Sequence, residues 1–378
     1  MQSTIADVAR HAGVAPSTVS YVLTGNRRIS AETRERVEAS IRALSYRPHA
    51  GARSMRNGRT DVIGLVVPIY QWSTIYQWSA ERILMPYVCG VVESARRHGW
   101  NVMLLTAEDG KADIEQVVRS QMIDGLILME VLRHDERVPL VAELGMPAVL
   151  LGVPDNTSGL PYVDFDFEGA GRLCVKHLVG LGHQEIGFLG PPQGVFDRGL
   201  GYAFRAWNGV AEELAERGLL FHGIATEPMV EGVQSALGRL FDETPALTAL
   251  VVHSEGVLNL VIERLTRLAK QVPEDVSVIA IAHHDLALQV RPTLTHVRVP
   301  ADEMGRQAVQ LLSSWDGTGP GRLLPPSLVR GQSSSPPSRA HQTQLAHHGS
   351  EVTFGPPRQP AFSRDAGLGA HFPARQRS

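Results

Sequence analysis

The chain has 378 residues, of which 43% are hydrophobic and 20% charged, a composition typical of globular proteins. This length is more than one hydrophobic core usually accommodates, so we expect two or three domains. With only two cysteines, Cys89 and Cys174, a disulfide scaffold is excluded, and we expect both to be reduced core residues. Apolar runs such as Val62 to Val67 are far shorter than the roughly 20 residues of a membrane helix. The N-terminal residues lack both the basic region and the apolar region that a secretory signal peptide contains, so we expect a cytoplasmic protein.

The formal net charge of −3 conceals an asymmetry along the chain. Residues 1–60 contain ten Arg, no Lys and four acidic residues, which gives +6, whereas residues 61–332 carry −12. A basic head on an acidic body is typical of a nucleic-acid reader with a separate second domain. A basic, solvated helix surface without such a role has the same charge, so charge alone leaves both interpretations open.

The first 56 residues predict four short helices. Thr4 caps the first in a capping-box spacing with Asp7, and Gly13 ends it. Pro16 opens the second helix, which runs to Leu23. Ser30 caps a third helix, Ala31 to Leu44, and Pro48 precedes a last short segment, His49 to Arg56.

The second helix separates apolar from polar side chains. Val19, Val22 and Leu23 share an inward face, while Ser17, Thr18 and Tyr21 point elsewhere. Two helices joined by a glycine turn match a helix-turn-helix, whose second helix presents its N-terminal side chains to base edges in the major groove. A small helical bundle without a DNA role remains the alternative on this pattern alone.

From residue 62 onward, strand-like and helix-like segments alternate, which predicts parallel sheets with helical crossovers and, over this length, two lobes with a cleft between them. Predicted strands are 62–67, 101–105, 125–129, 148–151, 186–189, 250–253 and 276–281. Predicted helices are 87–98, 112–122, 167–181, 203–217, 231–241 and 256–270. Ligands of such folds bind at the carboxyl ends of the strands.

Two segments depart from this alternation. Residues 69–74 and 75–80 form a six-residue tandem repeat, which we interpret as an enlarged surface loop rather than a solenoid. Residues 333–378 are rich in Ser, Pro, Gln, His and Gly without an apolar period, so we expect them to be largely disordered.

Many short motifs in order resemble the lactose-repressor/galactose-repressor family of bacterial regulators. They lie at residues 4–9, 12–14, 17–20, 22–23, 33–37, 46–50, 52–54, 63–68, 124–127, 182–187, 272–278 and 324–331. The resemblance covers about residues 3–332. It implies an α/β protein with a helix-turn-helix head and a two-lobed effector domain like periplasmic sugar-binding proteins, acting as a homodimer on a palindromic double-stranded DNA operator.

On this resemblance we assign the head to residues 1–47, a hinge to 48–60 and the effector and dimerisation domain to 61–332. Lobe one comprises about 61–161 and 290–318, and lobe two about 162–289 and 319–332. The DNA-contacting positions are then Thr4, Pro16, Ser17, Thr18, Tyr21, Asn26, Arg53 and Met55. Met55 matches the family's hinge leucine, which wedges between base steps in the minor groove. Tyr21 stands where some relatives have Arg, so the operator differs from theirs.

The resemblance also implies that a small metabolite, such as a sugar, binds in the cleft. Glu255 matches the acidic position after one strand, but Ala282 and His283 replace the family's acidic pair after another. The candidate effector-binding residues are Asp164, Phe165, Arg198, Arg205, Glu255 and His283, with Asp166 beside them. The alternative for each of these residues is an ordinary strand-end or surface group.

Other functions fit the sequence less well. Residues 283–285 with His253 and His296 resemble a metal cluster, but they lack metal-ligand spacing, so we predict neither a metal nor a cofactor. The sequence has no G-x-S-x-G, P-loop, H-E-x-x-H or C-x-x-C motif, so we do not expect an enzyme. A transporter's solute-binding protein explains the two lobes but not the basic helical head.

Overall fold

The computed structural model describes residues 3–24, 29–46, 59–67, 77–106, 110–317 and 319–338. The chain divides into two compact units, Met1–Asp61 with Gln121–Ile123, and Val62–Ser120 with Asp124–Ser378. The second unit thus begins next to the predicted start of the effector domain. The predicted segment 49–56 and the repeat at 69–80, apart from the helical backbone from residue 77, lie outside the described residues.

Helices α1 (Ile5–Ala12), α2 (Pro16–Thr24) and α3 (Ala31–Ala43) form the head, close to their predicted bounds. Their apolar faces bury a small core of Val8, Val19, Val22, Val37 and Tyr46. Leu23, predicted to share the inward face of α2, is instead 38% exposed. Val19 and Val22 are the residues of α2 that enter this core, whereas the turn of the helix places Leu23 outside it.

In the second unit the described residues form two six-stranded sheets. The first has the order β11-β5-β4-β3-β1-β2 and is parallel throughout. Its strands are β1 (Val62–Val66), β2 (Asn101–Leu105), β3 (Gly125–Leu128), β4 (Ala148–Leu151), β5 (Tyr162–Phe165) and β11 (Arg322–Leu324). Strands β3 and β4 are apolar and fully buried, as expected for a parallel sheet covered on both faces.

The second sheet has the order β12-β10-β9-β8-β6-β7, with only the short β12 antiparallel. Its strands are β6 (Ile186–Gly190), β7 (His222–Ala225), β8 (Ala249–Val252), β9 (Ser277–Ala282), β10 (Thr295–Arg298) and β12 (Leu328–Val329). We call the part built on the first sheet lobe one and the part built on the second lobe two. The two sheets confirm the predicted two-lobed α/β fold.

The predicted division of the chain between the lobes is wrong at three strands. β5 and β11, assigned to lobe two, pair within the sheet of lobe one. β10, assigned to lobe one, pairs with β9 in lobe two. The described chain therefore changes lobe after β5, after β10 and between β11 and β12. None of these three strands was predicted, and none has the uninterrupted apolar sequence of β3 or β4.

Helices cover both faces of the sheets. In lobe one they are α4 (Gln77–Arg97), α5 (Gly110–Arg119), α6 (Arg137–Glu143) and α13 (Ala301–Ser313). In lobe two they are α7 (Phe167–Gly180), α8 (Gln193–Asp197), α9 (Gly201–Glu216), α10 (Val230–Glu243), α11 (Leu258–Arg267) and α12 (His284–Gln289). A 3₁₀ turn, Glu255–Val257, precedes α11. Glycines allow α4 and α13 to cross closely, since a Cβ on Gly90 would meet the Asp302 carbonyl oxygen.

The first residues of the predicted disordered tail are folded. Ser333 is fully buried, and its hydroxyl donates to the Val278 carbonyl at 2.6 Å and accepts from Thr295 N at 2.9 Å. Ser335 continues the contact, because its N donates to Ser277 Oγ at 3.0 Å. The effector domain therefore extends to at least residue 338, and the prediction that disorder begins at 333 is wrong there. Polar composition concealed a segment held by hydrogen bonds.

The two cysteines have different surroundings. Cys174 is buried as predicted, and burial raises the pKa of its thiol. Cys89 is exposed on α4, which contradicts its predicted place in the core. Its neighbours in sequence are apolar, but the helix turns this position outward.

Candidate functional site

The start of α1 depends on Thr4. Its hydroxyl accepts from Asp7 N at 3.3 Å and donates to Asp7 Oδ2 at 2.7 Å, while Thr4 N donates to the same oxygen at 2.9 Å. The hydrogen bonds from Thr4 are the main reason that the pKa of Asp7 is lowered. Thr4 thus has a local capping role as well as its predicted DNA contact.

The N-terminal end of α2 presents polar side chains. Pro16 and Ser17 are exposed, whereas Thr18 and Tyr21 are half-buried. Val19 and Val22, on the opposite face, fix the helix against α1 and α3. This arrangement leaves a short polar surface of the kind that reads base edges. Three further predicted contacts, Asn26, Arg53 and Met55, lie outside the described residues.

A cavity of about 550 Å³ lies between the two lobes. Its wall is built at the carboxyl ends of strands in both sheets, where side chains after β3, β4, β6, β8 and β9 converge. Helix α4 adds Leu84 and Tyr87 from lobe one, and α9 adds Tyr202 and Arg205 from lobe two. Its volume and position are those of a small-molecule site in an α/β fold. We call it the interlobe cavity.

An ion pair crosses the cavity between Asp164 of β5 and Arg205 of α9. Asp164 is 3% exposed and also accepts from Phe165 N at 2.8 Å. Burial raises the pKa of Asp164, and the Arg205 charge opposes that shift. Arg205 donates in addition to the Val153 carbonyl at 3.3 Å. The guanidinium is therefore fixed by two groups of lobe one.

A second pair joins Glu255 and His283 within lobe two. His283 Nδ1 lies 2.8 Å and 2.9 Å from the two carboxylate oxygens, and the backbone N of His283 donates to the same carboxylate. Burial has the largest single effect and lowers the pKa of His283, but the charge of Glu255 and the hydrogen bond to its carboxylate, with smaller contributions from Asp302 and Asp285, together raise it. The Tyr87 ring meets the imidazole edge-on at 5.9 Å. These contacts favour the protonated form of His283.

Glu130 and Arg198 form a looser pair, 3.9 Å apart, at another part of the wall. Burial raises the pKa of Glu130, and Arg198 and Arg137 oppose it. The backbone of Glu130 is left-handed, with φ 47°, a conformation of the kind that is maintained at functional sites. Next to it, Arg133 N donates to the Gly199 carbonyl at 2.8 Å, which joins lobe one to lobe two.

Aromatic rings form much of the remaining wall. Phe167 packs 5.4 Å from Tyr202 and 5.4 Å from the His253 ring. Tyr202 meets His253 edge-on at 5.7 Å. Burial lowers the pKa of His253 to about 4, so this imidazole is neutral near pH 7. Such faces suit the apolar CH surface of a ring-shaped ligand.

Three buried nitrogen atoms on the cavity wall have no hydrogen-bond partner among the described residues. They are Nε of Arg205, Nδ1 of His253 and Nε2 of His283. All three belong to lobe two. Because a buried polar atom without a partner costs about 1–3 kcal/mol, their convergence on one cavity marks where a ligand's polar groups fit.

The structure brings five of the six predicted effector residues to the cavity: Asp164, Arg198, Arg205, Glu255 and His283. Phe165 does not line it. Strand alternation turns Phe165 away from Asp164 into the core, where it packs 5.0 Å from Phe167. Asp166 instead caps α7, accepting from Gly169 N at 2.8 Å.

Several cavity residues were missed from sequence, namely Tyr87, Glu130, Phe167, Tyr202 and His253. Glu130 and His253 carried a sequence indication, because each lies at the carboxyl end of a predicted strand. His284 and His296 contact each other, at 3.2 Å between ring nitrogens, and lie outside the cavity lining. Among the described residues no group of three metal-ligating side chains is assembled.

Comparisons with known proteins match both units. Residues 4–49 match the family described as bacterial regulatory proteins, lacI family, and residues 175–334 match a periplasmic binding protein-like domain. The HTH-type transcriptional regulator CelR of Thermobifida fusca is 32% identical over 322 residues, 82% of this chain and 90% of that protein. Catabolite control protein A of Priestia megaterium is 28% identical over 324 residues, 83% and 93% of the two chains.

Solved structures agree in fold. A CelR–cellobiose complex matches with a TM-score of 0.62 and 25% identity, covering 88% of this chain and all of that one. A lac repressor dimer bound to operator and the anti-inducer ONPF matches with a TM-score of 0.73 and 24% identity, covering 89% of this chain and all of that one. Every helix in the described residues is too short or too polar to cross a lipid bilayer.

Proposed function

Because the chain belongs to the lacI family of bacterial regulatory proteins, we propose that it represses transcription as a homodimer on a palindromic operator, with a sugar in the interlobe cavity as its effector. Membership makes the chain a DNA-binding transcriptional regulator that responds to a small molecule. We further propose that the protein acts as a repressor, that its operator is palindromic, and that the ligand and contact residues are those named below. We also propose that it works in the cytoplasm and that it does not chemically alter its ligand.

The convergence of unpartnered nitrogens on the interlobe cavity carries the effector proposal. Arg205, His253 and His283 line the cavity, and each has one buried nitrogen without a partner among the described residues, beside aromatic and aliphatic side chains. A sugar combines hydroxyl groups with an apolar ring face, which meets both requirements. The likeness to CelR, whose structure holds cellobiose, makes cellobiose the first ligand to test.

The head reads DNA through α2 in this proposal. Ser17, Thr18 and Tyr21 contact base edges, and Thr4, Pro16 and Asn26 help to position the helix on the backbone. Arg53 and Met55 act from the hinge, where Met55 wedges into the minor groove. The excess of arginine over acidic residues in the first 60 residues supports contacts with phosphates.

An exposed apolar stripe on α4 supports the homodimer. Met85 is 49% exposed and Val92 45% exposed on one face of this helix, and Leu104 on the edge strand β2 is 51% exposed. Large apolar side chains gathered in this way are typical of an interface. We place the dimer contact on this face.

Selection of bound DNA from a random pool, followed by fluorescence anisotropy with and without cellobiose, tests the function. We expect one palindromic sequence to be enriched and its affinity to change when the effector binds. A variant without residues 1–59 should lose DNA binding and keep effector binding. A protein that binds the sugar but prefers no DNA sequence would instead be a solute-binding protein.

A further inference from the structure

The charged side chains of the interlobe cavity are matched with one another. Asp164 pairs with Arg205, Glu255 with His283, and Glu130 with Arg198. His253 is neutral. The remaining lining carboxylate, Asp197, is exposed and accepts from the Gln193 amide at 2.9 Å. In the buried part of the wall, each charge is thus already compensated within the protein.

Building on the proposed effector function, we propose that the cavity selects an uncharged, hydroxylated ligand and that Asp164 enforces this by neutralising Arg205. A free arginine in such a wall attracts carboxylates and phosphates, to which its guanidinium is complementary. Here one edge of the guanidinium is taken by Asp164 and the Val153 carbonyl. Nε remains for the ligand.

An anionic ligand finds no uncompensated positive charge in the buried part of this wall. To pair with it, Arg205 would have to leave Asp164, a carboxylate that is 3% exposed, and His283 would have to leave Glu255. Leaving one member of a buried ion pair without its partner is strongly unfavourable. A cationic ligand meets the same difficulty, because Asp164 and Glu255 are already bound to cations.

The atoms left over are those that neutral hydroxyl groups need. Arg205 Nε always carries a proton, and protonation of His283 places one on its Nε2, so both nitrogens then donate. His253, being neutral, offers Nδ1 as donor or acceptor according to its tautomer. A hydroxyl group can accept from the first two nitrogens and exchange either role with the third. The ligand therefore needs oxygens at these positions but no charge.

The test uses ligand pairs that differ in one charge: cellobiose with cellobionate, maltose with maltobionate, and glucose with gluconate. Isothermal titration calorimetry of the full chain should find a neutral sugar that binds at least tenfold more tightly than its acid. In the Asp164→Asn variant Arg205 is left uncompensated, and this preference should shrink by tenfold or reverse. Equal or tighter binding of the acid by the unsubstituted protein would overturn the proposal, as would the absence of any neutral ligand.

Two further variants isolate the cause. The double variant Asp164→Asn with Arg205→Gln lacks both charges. It should again reject the acids, because the increased affinity of Asp164→Asn for acids requires an unpaired Arg205. Glu263→Gln removes the acidic partner of a surface ion pair with Arg267, outside the cavity lining. This control variant should bind ligands as the unsubstituted chain does. Acid binding by the double variant would contradict the assignment to Arg205. If the acids proved to be the ligands while operator control persisted, this inference alone would fail.

Discussion

At the scale of single residues, the cavity is governed by how each charge is paired. Asp164 and Glu255 are acids at positions where family resemblance anticipated ligand contacts, but the structure turns each toward a cation of the protein. The atoms freed for a ligand are then nitrogens of Arg205, His253 and His283. Sequence named Asp164 and Glu255 as candidates without revealing that each pairs with another side chain of the protein.

The Glu255–His283 pair makes effector binding sensitive to pH. Its carboxylate raises the pKa of His283 above 6.5, so the pair is complete below about pH 6.5 and is lost as pH rises through the raised value. Above that value Nε2 no longer donates, and cellobiose affinity should fall. Glu255→Gln should move this decline to lower pH. Calorimetric affinities from about pH 6 to about pH 9 measure both profiles; a flat profile in the unsubstituted chain would exclude this role for His283.

Ser17 provides a residue-scale test of the head. It is exposed at the start of α2 and makes no contribution to the core cluster, so Ser17→Ala should leave the head folded. We expect the loss of one base contact to weaken operator binding by about 1 kcal/mol or more, roughly fivefold to tenfold. Fluorescence anisotropy with the selected operator measures it. Ser313→Ala, at the end of α13, is the matched control, and equal affinities for the two variants would remove Ser17 from the interface.

At the scale of elements, the segment 333–338 acts as a strap on lobe two. Val278 N donates to the Ser333 carbonyl at 2.7 Å, and Ser335 O lies 2.9 Å from Nε2 of the buried His183. Burial lowers the pKa of His183 to about 4, which keeps its ring neutral against the strap. These contacts explain why a polar segment folds against this lobe.

Two truncations separate the strap from the residues beyond it. Ending the chain after Gln332 removes several hydrogen bonds worth about 1 kcal/mol each, so the free energy of unfolding should fall by about 2–4 kcal/mol. Ending it after Ser338 keeps them all and should leave stability unchanged. Urea denaturation followed by circular dichroism compares the two. If both truncations were equally stable, the strap would have no stabilising role.

The elements also show what sequence patterns can and cannot predict. Strands such as β3 and β4 were found because a buried parallel strand is apolar at every position. β5, β7 and β10 contain Asp164, His222 and His296, so they lack that pattern and were missed. Of these, β5 and β10 lie in parts of the chain that were assigned to the wrong lobe. Helix α4 begins at Gln77, well before its predicted start at Tyr87, so that Pro86 lies inside the helix.

At the scale of the whole molecule, resemblance to a family supplied what periodicity could not. Local patterns predicted two lobes and a helical head, but the ordered motifs implied where a ligand and DNA would bind. The aromatic wall of Phe167 and Tyr202 was beyond reach, because residues distant in sequence meet only after both lobes fold. The charge pairing of the cavity likewise depends on contacts across lobes.

The central claim is that a small molecule in the interlobe cavity changes how tightly the basic head holds DNA. The most direct measurement is the operator affinity of the full chain at one salt concentration, with and without a saturating sugar whose binding calorimetry has established. We predict a change of at least about tenfold, within the usual range of coupling between two sites. The same operator affinity with the cavity filled and empty would contradict the account.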